Sequence, residues 1–393
     1  MILREAEPAL HRLAGYFPVV AVTGPRQSGK TTLARAAFPH KPYASLEDLD
    51  VREFAHSDPR GFLAQYPDGA VLDEAQRAPG LFSYLQTRVD ADRRAGQFVL
   101  TGSQQFGLLG GISQSLAGRA GLVHLLPFSL QEVSAIAAPG NVEALLWQGC
   151  YPPLHDRGIP PGVWYRDYVA TYIERDVRQL VNVRDLSAFR RFLRMCAARS
   201  AQVLNLSTLA ADCGVTHNTA KSWISVLEAS YIVFQLPAHH KNFGKRLVKA
   251  PKLYFYDTGL AAWLAGIQSA RELGLGSLRG QLFETWGVSE FVKYRSNLVL
   301  APELYYWRDS SGNEIDLLVD RGGVLYPVEF KAGQTIAGDW FAPLQKFLSL
   351  TGGKEGGLVF GGDQGQSRTG IFVTPWREIR QCAAAAFGAP GTS

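Results

Sequence analysis

The stretch that most constrains this chain is Gly24-Pro25-Arg26-Gln27-Ser28-Gly29-Lys30-Thr31. An apolar run, Val19-Val20-Ala21-Val22, precedes it. A good helix former, Thr32-Leu33-Ala34-Arg35-Ala36-Ala37, follows it and stops before Pro39. Strand, glycine loop, helix is the context in which G-x-x-x-x-G-K-[ST] becomes a phosphate site. Glycines let the backbone curl into a nest of N–H groups, and the helix N-terminus adds the positive end of its dipole. Lys30 then supplies charge to the β- and γ-phosphates, and the Thr31 hydroxyl is a ligand for Mg2+. The expected cradle for ATP is Gly24, Pro25, Arg26, Gln27, Ser28, Gly29, Lys30, Thr31 and Thr32.

The other half of such a site is an apolar strand ending in carboxylates. Gly69-Ala70-Val71-Leu72-Asp73-Glu74 has that form. Asp73 is expected to hold Mg2+ through water, and Glu74 to orient or deprotonate the attacking water. A further strand, Phe98-Val99-Leu100-Thr101, ends at Gly102-Ser103-Gln104. Ser103 or Gln104 is placed either to sense the γ-phosphate or merely to bond strand to loop. With Tyr43-Ala44-Ser45-Leu46 and Leu122-Val123-His124-Leu125-Leu126 as two more strands, strand and helix alternate. That pattern predicts a parallel sheet with the site at the carboxyl ends of its strands. Arg119 is a candidate arginine finger for a nucleotide held by a neighbouring subunit, or else a surface salt bridge.

With 393 residues the chain has room for about two to four domains, and its 46% hydrophobic content supports sizeable cores. Cys150, Cys196, Cys213 and Cys382 show neither zinc spacing nor a disulfide framework, which suits a reducing, cytoplasmic setting. The start does not read as a secretory signal, and no apolar run reaches the roughly 18 residues of a membrane span. The net charge of +5 permits a nucleic-acid partner without requiring one.

After residue 129 the pattern turns helical. Trp164 to Val181 reads as an aromatic-rich helix carrying Glu174-Arg175-Asp176, with Arg175 either a second phosphate sensor or part of a solvated face. Leu206 to Cys213, Gly214, Thr216, then His217 to Leu227 reads as helix, glycine turn, cap and helix, the order of a helix-turn-helix. Tyr231–Leu236 and Leu253–Tyr256 read as the strands of a wing. Between them lie Lys241, Lys245, Arg246, Lys249 and Lys252, expected to meet DNA phosphates.

The last third carries a helix from Gly280 to about Tyr294 and strands at Leu304–Trp307, Glu314–Val319 and Val324–Lys331. Strand alternation puts Glu329 and Lys331 on one face, and Asp316 on the adjacent strand can meet them. Asp…Glu-x-Lys in this order is the PD-(D/E)xK pattern. In that pattern Asp316 and Glu329 bind Mg2+, Glu284 completes the shell, and Lys331 positions the water or the scissile phosphate.

Taken with Leu116-Ala117-Gly118-Arg119, Asp257-Thr258-Gly259-Leu260 and Phe283-Glu284, these motifs make nearly the whole chain resemble a group of prokaryotic AAA-type P-loop ATPases. Members of that group carry a C-terminal PD-(D/E)xK nuclease-like domain. The resemblance implies ATP hydrolysis, assembly into a homo-oligomeric ring or partial ring, and a DNA role. The expected fold is α/β, in four parts: an AAA-type ATPase domain at 1–132, a helical lid or linker at 133–195, a winged helix at 196–256 and a nuclease-like domain at 257–393. The expected function is ATP-driven action on DNA, with the last domain cutting or gripping it. The alternative is a nucleotide-gated regulatory or defence switch that binds DNA or a protein without translocation or cleavage. No membrane partner is expected.

Overall fold

The computed structural model describes residues 2–103, 105–174, 185–239, 248–301 and 303–388. They gather into two compact units. One comprises 1–128 with 229–231 and 296–299; the other comprises 129–228, 232–295 and 300–393.

The first unit is built on strands β1 (Val19–Thr23), β2 (Tyr43–Ser45), β3 (Val71–Asp73), β4 (Phe98–Gly102) and β5 (Ala120–His124). They lie in the order β2-β3-β4-β1-β5, all parallel. The strands read as unbroken apolar runs because both faces of the sheet are covered. Val19 and Ala21 join one core with Leu72, Leu100, Leu81 and Leu85. Val20 and Val22 join the other with Leu10, Leu33, Val71 and Val99. The last strand begins and ends two residues earlier than its apolar run suggests. Ala120 pairs with Val19 and His124 with Thr23, so the end of β1 sets the end of β5. Leu125 and Leu126 are buried beyond it.

In the second unit, helix Leu186–Ala198 leads to strand β6 (Gln202–Val203), helices Leu206–Cys213 and His217–Ala229, then strands β7 (Val233–Leu236) and β8 (Lys252–Phe255). The three strands form an antiparallel sheet in the order β6-β8-β7. Asn205 caps the first helix of the pair by accepting from Thr208 N at 3.0 Å, and Gly214, at φ +70°, closes it. The Thr216 hydroxyl accepts from Thr219 N at 3.1 Å and starts the next. A second sheet holds β9 (Glu303–Arg308), β10 (Glu314–Asp320), β11 (Leu325–Lys331), β12 (Gly356–Phe360), β13 (Gln366–Arg368) and β14 (Ile371–Pro375), in the order β13-β14-β12-β11-β10-β9. The first three run antiparallel. Helix Ala342–Thr351 then carries the chain over to β12, parallel to β11. Trp307, Ile315, Leu318, Phe347, Leu358 and Phe360 fill the core beneath that helix.

Helix Pro161–Tyr168 passes into a π-helical turn, Val169–Ile173. There Tyr168 stacks between Trp164 and Tyr172 at 4.6 and 5.1 Å. Arg175 and the rest of the helix expected to reach Val181 lie outside the described residues. The motif at Asp257 has a structural explanation. Its carboxylate caps the following helix through Leu260 N at 2.8 Å, and also accepts from Cys150 N and the Tyr165 hydroxyl, both at 2.6 Å. A Cβ on Gly149 would lie 2.0 Å from that hydroxyl. All four cysteines are buried and unbridged. Among the described residues no helix is long and apolar enough to cross a membrane.

Candidate active site

The phosphate loop joins β1 to helix Lys30–Ala37. Gly24 takes φ +149°, and a Cβ there would lie 2.1 Å from the Leu125 carbonyl oxygen, so only glycine lets the loop leave the sheet at this point. Gly29 enters the helix at φ +89°. The Ser28 hydroxyl and the Lys30 ammonium both donate to the Pro25 carbonyl, at 2.8 and 2.7 Å. Lys30 also donates to Gly24 O at 3.1 Å. A residue that no motif announces supports the loop from outside. The Arg4 guanidinium donates to Ser28 O at 2.6 Å and to Leu126 O at 2.8 Å, and stacks over Phe128. Beside the loop, the Thr23 hydroxyl lies 2.7 Å from His124 Nδ1 and 2.9 Å from the Tyr231 hydroxyl.

The sequence-predicted carboxylates arrive at this loop. Asp73, at the end of β3, lies 2.9 Å from the Thr31 hydroxyl. It also accepts from Tyr43 OH at 2.8 Å and from the Thr101 hydroxyl. Tyr43 is in turn pushed up to about 12 by burial and by Asp73. Thr31 and Asp73 form an all-oxygen set that fits a hard divalent cation. They would hold Mg2+, which neutralises phosphate charge when bound. Glu74 follows at φ +53°, a left-handed conformation that is costly for a residue with a side chain. Its Oε2 accepts from Gln76 Nε2 at 2.5 Å and lies 3.4 Å from the Ser103 hydroxyl. Ser103 thus joins the group, while Gln104 lies outside the described residues. Thr32 is exposed on the helix behind.

Arg119 is elsewhere. Its carbonyl accepts from Val19 N at the amino ends of β1 and β5, the opposite end of the sheet from the phosphate loop. Its guanidinium is forked onto Asp90 at 2.6 and 2.9 Å. Action on its own chain's nucleotide is therefore excluded by distance along the strands. The surface ion pair is present.

The second unit assembles an acidic cluster. Antiparallel register sets Asp316 opposite Glu329. The Asp316 carboxylate accepts from Phe330 N at 3.0 Å, and Glu329 accepts from Asp316 N at 3.3 Å. Lys331 is 2.7 Å from Glu329. Burial first, and then the neighbouring Asp316, pushes both Glu284 and Glu329 above the ordinary carboxylate range. Among the described residues, the carboxylates that approach one another within 4.8 Å are Glu284, Asp316 and Glu314, the last not anticipated as a ligand. A register shift between Ile315 and Leu318 in the β9–β10 pairing re-aims this part of β10. Lys252 requires a correction. It was expected on a DNA-facing wing, yet all of β8 is buried and Lys252 is 2% exposed, ion-paired to Glu284 and Glu314. Lys249 is exposed. Lys241, Lys245 and Arg246 lie outside the described residues.

Three family profiles match the chain. One is described as an AAA domain over residues 16–134, one as a domain of unknown function (DUF8612) over 140–271, and one as a domain of unknown function (DUF4143) over 279–379. Among solved structures, the chain is similar to the Walker-type ATPase PABY2304 of Pyrococcus abyssi, at 15% identity over 66% of this chain and 94% of that one, TM-score 0.42. It is also similar to RuvB of Thermotoga maritima, at 20% identity over 59% and 86%, TM-score 0.28. The glycine loop, the Asp73–Glu74 strand end and the parallel sheet, together with the first profile, define an AAA-type P-loop ATPase domain. The uncharacterized proteins Rv2008c of Mycobacterium tuberculosis and Mb2031c of Mycobacterium bovis are each 34% identical to it over 338 residues, 84% of this chain and 74% of theirs. The chain belongs to the family of these mycobacterial proteins.

Burial lowers the Lys30 ammonium to about 8, against the opposing pull of Glu74 and Asp73. Phosphate favours the charged form, so the bound pKa is higher than the free one. Below the free value Lys30 is already charged and binding moves no proton. Above it, binding takes one up, and affinity falls by up to about tenfold per pH unit. Calorimetry of ATP binding at pH 9, in buffers of differing ionisation enthalpy, is expected to show proton uptake that is absent at pH 7. Lys30→Arg, which stays charged, should lose the effect.

Proposed function

We propose that this protein is an ATP-hydrolysing AAA-type protein that acts on DNA as a ring or partial ring. The observation that carries the ATPase reading is the convergence of Lys30, Thr31, Asp73 and Glu74 at the carboxyl ends of β1 and β3, the two parallel strands that flank β4. In this reading Lys30 and the loop amides grip the phosphates. Glu74 takes a proton from water as that water attacks the γ-phosphorus, releasing ADP and phosphate, and Ser103 fixes Glu74 or the water. Arg119 reaches a nucleotide in a neighbouring copy.

The four-part division at 1–132, 133–195, 196–256 and 257–393 belongs to the same proposal. A winged helix at 196–256 is supported by the helix, strand, helix, helix, strand, strand order. The exposed stripe of Thr216, His217, Asn218, Lys221 and Ser225 offers polar groups suited to a groove. A PD-(D/E)xK-like domain is supported by the register of Asp316 against Glu329 and by Lys331 beside them.

DNA binding should stimulate ATP turnover and weaken steeply with salt. With Lys252 removed from the wing, Lys241, Lys245, Arg246 and Lys249 remain. If all four meet phosphates, the log–log slope carries roughly −3.6 from them. Changing Lys245 and Arg246 together to alanine should flatten it by about two contacts' worth. An unchanged slope would place DNA elsewhere.

One observation favours the second reading, a nucleotide-gated switch that binds without cutting. The acidic cluster that would hold a nuclease's metal already holds Lys252. A motor turns over many ATP per DNA-binding event, and a switch few.

A further inference from the structure

We infer that the acidic cluster of the C-terminal domain is occupied from within by the Lys252 ammonium, and takes no divalent cation while that lysine is in place. The inference rests on the nuclease-like reading only for what the cluster would otherwise do. Glu284, Glu314 and Asp316 can each bring one oxygen within 4.8 Å of the others, a spacing suited to a single hard cation. The Lys252 ammonium stands among those oxygens. It lies 2.7 Å from Glu284 Oε1, 2.5 Å from Glu314 Oε1 and 4.0 Å from Asp316 Oδ1. Lysine is a compact point charge with three donors, so it can serve several carboxylates at once.

The lysine is held there by the fold. Lys252 lies on β8, the middle strand of its sheet, paired to Val203 on one side and Leu236 on the other. Its side chain is 2% exposed. Two residues along the strand, Tyr254 donates its hydroxyl to the same Glu284 Oε1 at 2.7 Å. Arg308 lies 3.2 Å from the other oxygen of Glu314, and Lys331 takes Glu329. A divalent ion needs oxygens at about 2.0–2.6 Å, and the ammonium already takes one oxygen each of Glu284 and Glu314. Ion and ammonium would be like charges sharing two carboxylates. The set Glu284, Asp316, Glu329 and Lys331 therefore has the residue types of a metal-dependent nuclease but does not fit the metal. The C-terminal domain is then a gripping or scaffolding fold, its carboxylates countered by Arg308 and Lys331 of its own sheet and by Lys252 of the three-stranded sheet.

The test is Mn2+ titration of the full-length, nucleotide-free protein, followed by the electron paramagnetic resonance of free Mn2+. Every sample carries Asp73→Asn, so that an ion at the phosphate loop is not counted. With Lys252 intact, no Mn2+ binding that depends on Asp316 is expected. Lys252→Met should create one site per chain, at least about tenfold tighter than any in the Lys252-intact protein, and lost again with Asp316→Asn. One Mn2+ per Lys252-intact chain that disappears with Asp316→Asn overturns the inference. So does a folded Lys252→Met protein that gains no site. If Lys252→Met does not fold, the Lys252-intact titration decides by itself. The readout needs neither DNA nor ATP turnover, so failure of the DNA reading would leave it unchanged.

Discussion

Glu74→Gln is expected to lower ATP turnover by about two to three orders of magnitude, within the range for loss of a positioned general base, while leaving nucleotide affinity within a few-fold. In the proposed reading the loop and Lys30 grip the phosphates, and Thr31 and Asp73 hold one another across the site, with no bond of theirs passing through the Glu74 carboxylate. Glutamine keeps the size and can still meet Gln76 and Ser103, the two partners of that carboxylate. It cannot take a proton. Single-turnover hydrolysis and equilibrium binding of a fluorescent ATP analogue separate the two effects. Hydrolysis by the variant at the wild-type rate would remove Glu74 from the chemistry.

Arg119→Ala is expected to cost at least about a hundredfold in turnover, toward the lower part of the range for a charge that stabilises a phosphoryl-transfer transition state. The effect should come with ATP affinity preserved, and it should be repaired in trans. Arg119 sits at the amino end of β5, across the sheet from its own phosphate loop, so any nucleotide it touches belongs to another copy. Mixing Arg119→Ala protein with Lys30→Ala protein creates interfaces that pair an intact loop with an intact arginine. Turnover should reappear on mixing, although neither variant is active alone. Asp90→Ala is the control, because it removes only the partner that now holds the guanidinium. If Arg119 is simply a surface pair, Asp90→Ala and Arg119→Ala should behave alike and neither should affect turnover. No rescue in copies shown to co-assemble would count against action between chains.

What could be read from the sequence follows the distance over which each piece is encoded. The phosphate loop is contained in eight consecutive residues, and the Asp73 strand announces itself by an apolar run that stops at a carboxylate. The register of Asp316 against Glu329 follows from two neighbouring strands and the alternation of side chains. Arg4 could not be found in this way. It meets Ser28 and Leu126, and nothing in the residues around it differs from an ordinary charged chain start. Lys252 was misread for a related reason. Locally it belongs to a basic stretch, and a basic stretch between two strands resembles a wing. Its placement on the middle strand depends on pairing with Val203, some fifty residues earlier, and its carboxylates come from Glu284 and Glu314. Glu314 was legible, since it stands two residues before Asp316 and strand alternation puts both on one face.

The backbone at Glu74 has a consequence for how such a chain can change over generations. A side chain held in the left-handed region costs on the order of 1–2 kcal/mol, a cost that glycine escapes and that asparagine bears more easily. Selection for folding alone, whether in a hot habitat or in a laboratory screen for heat resistance, therefore pulls this position away from glutamate. If Glu74 is the base proposed above, selection for turnover pulls it back. On that reading position 74 is a place where robustness and chemistry compete for the same residue, and lineages that ceased to need hydrolysis would be the first to lose the acid there.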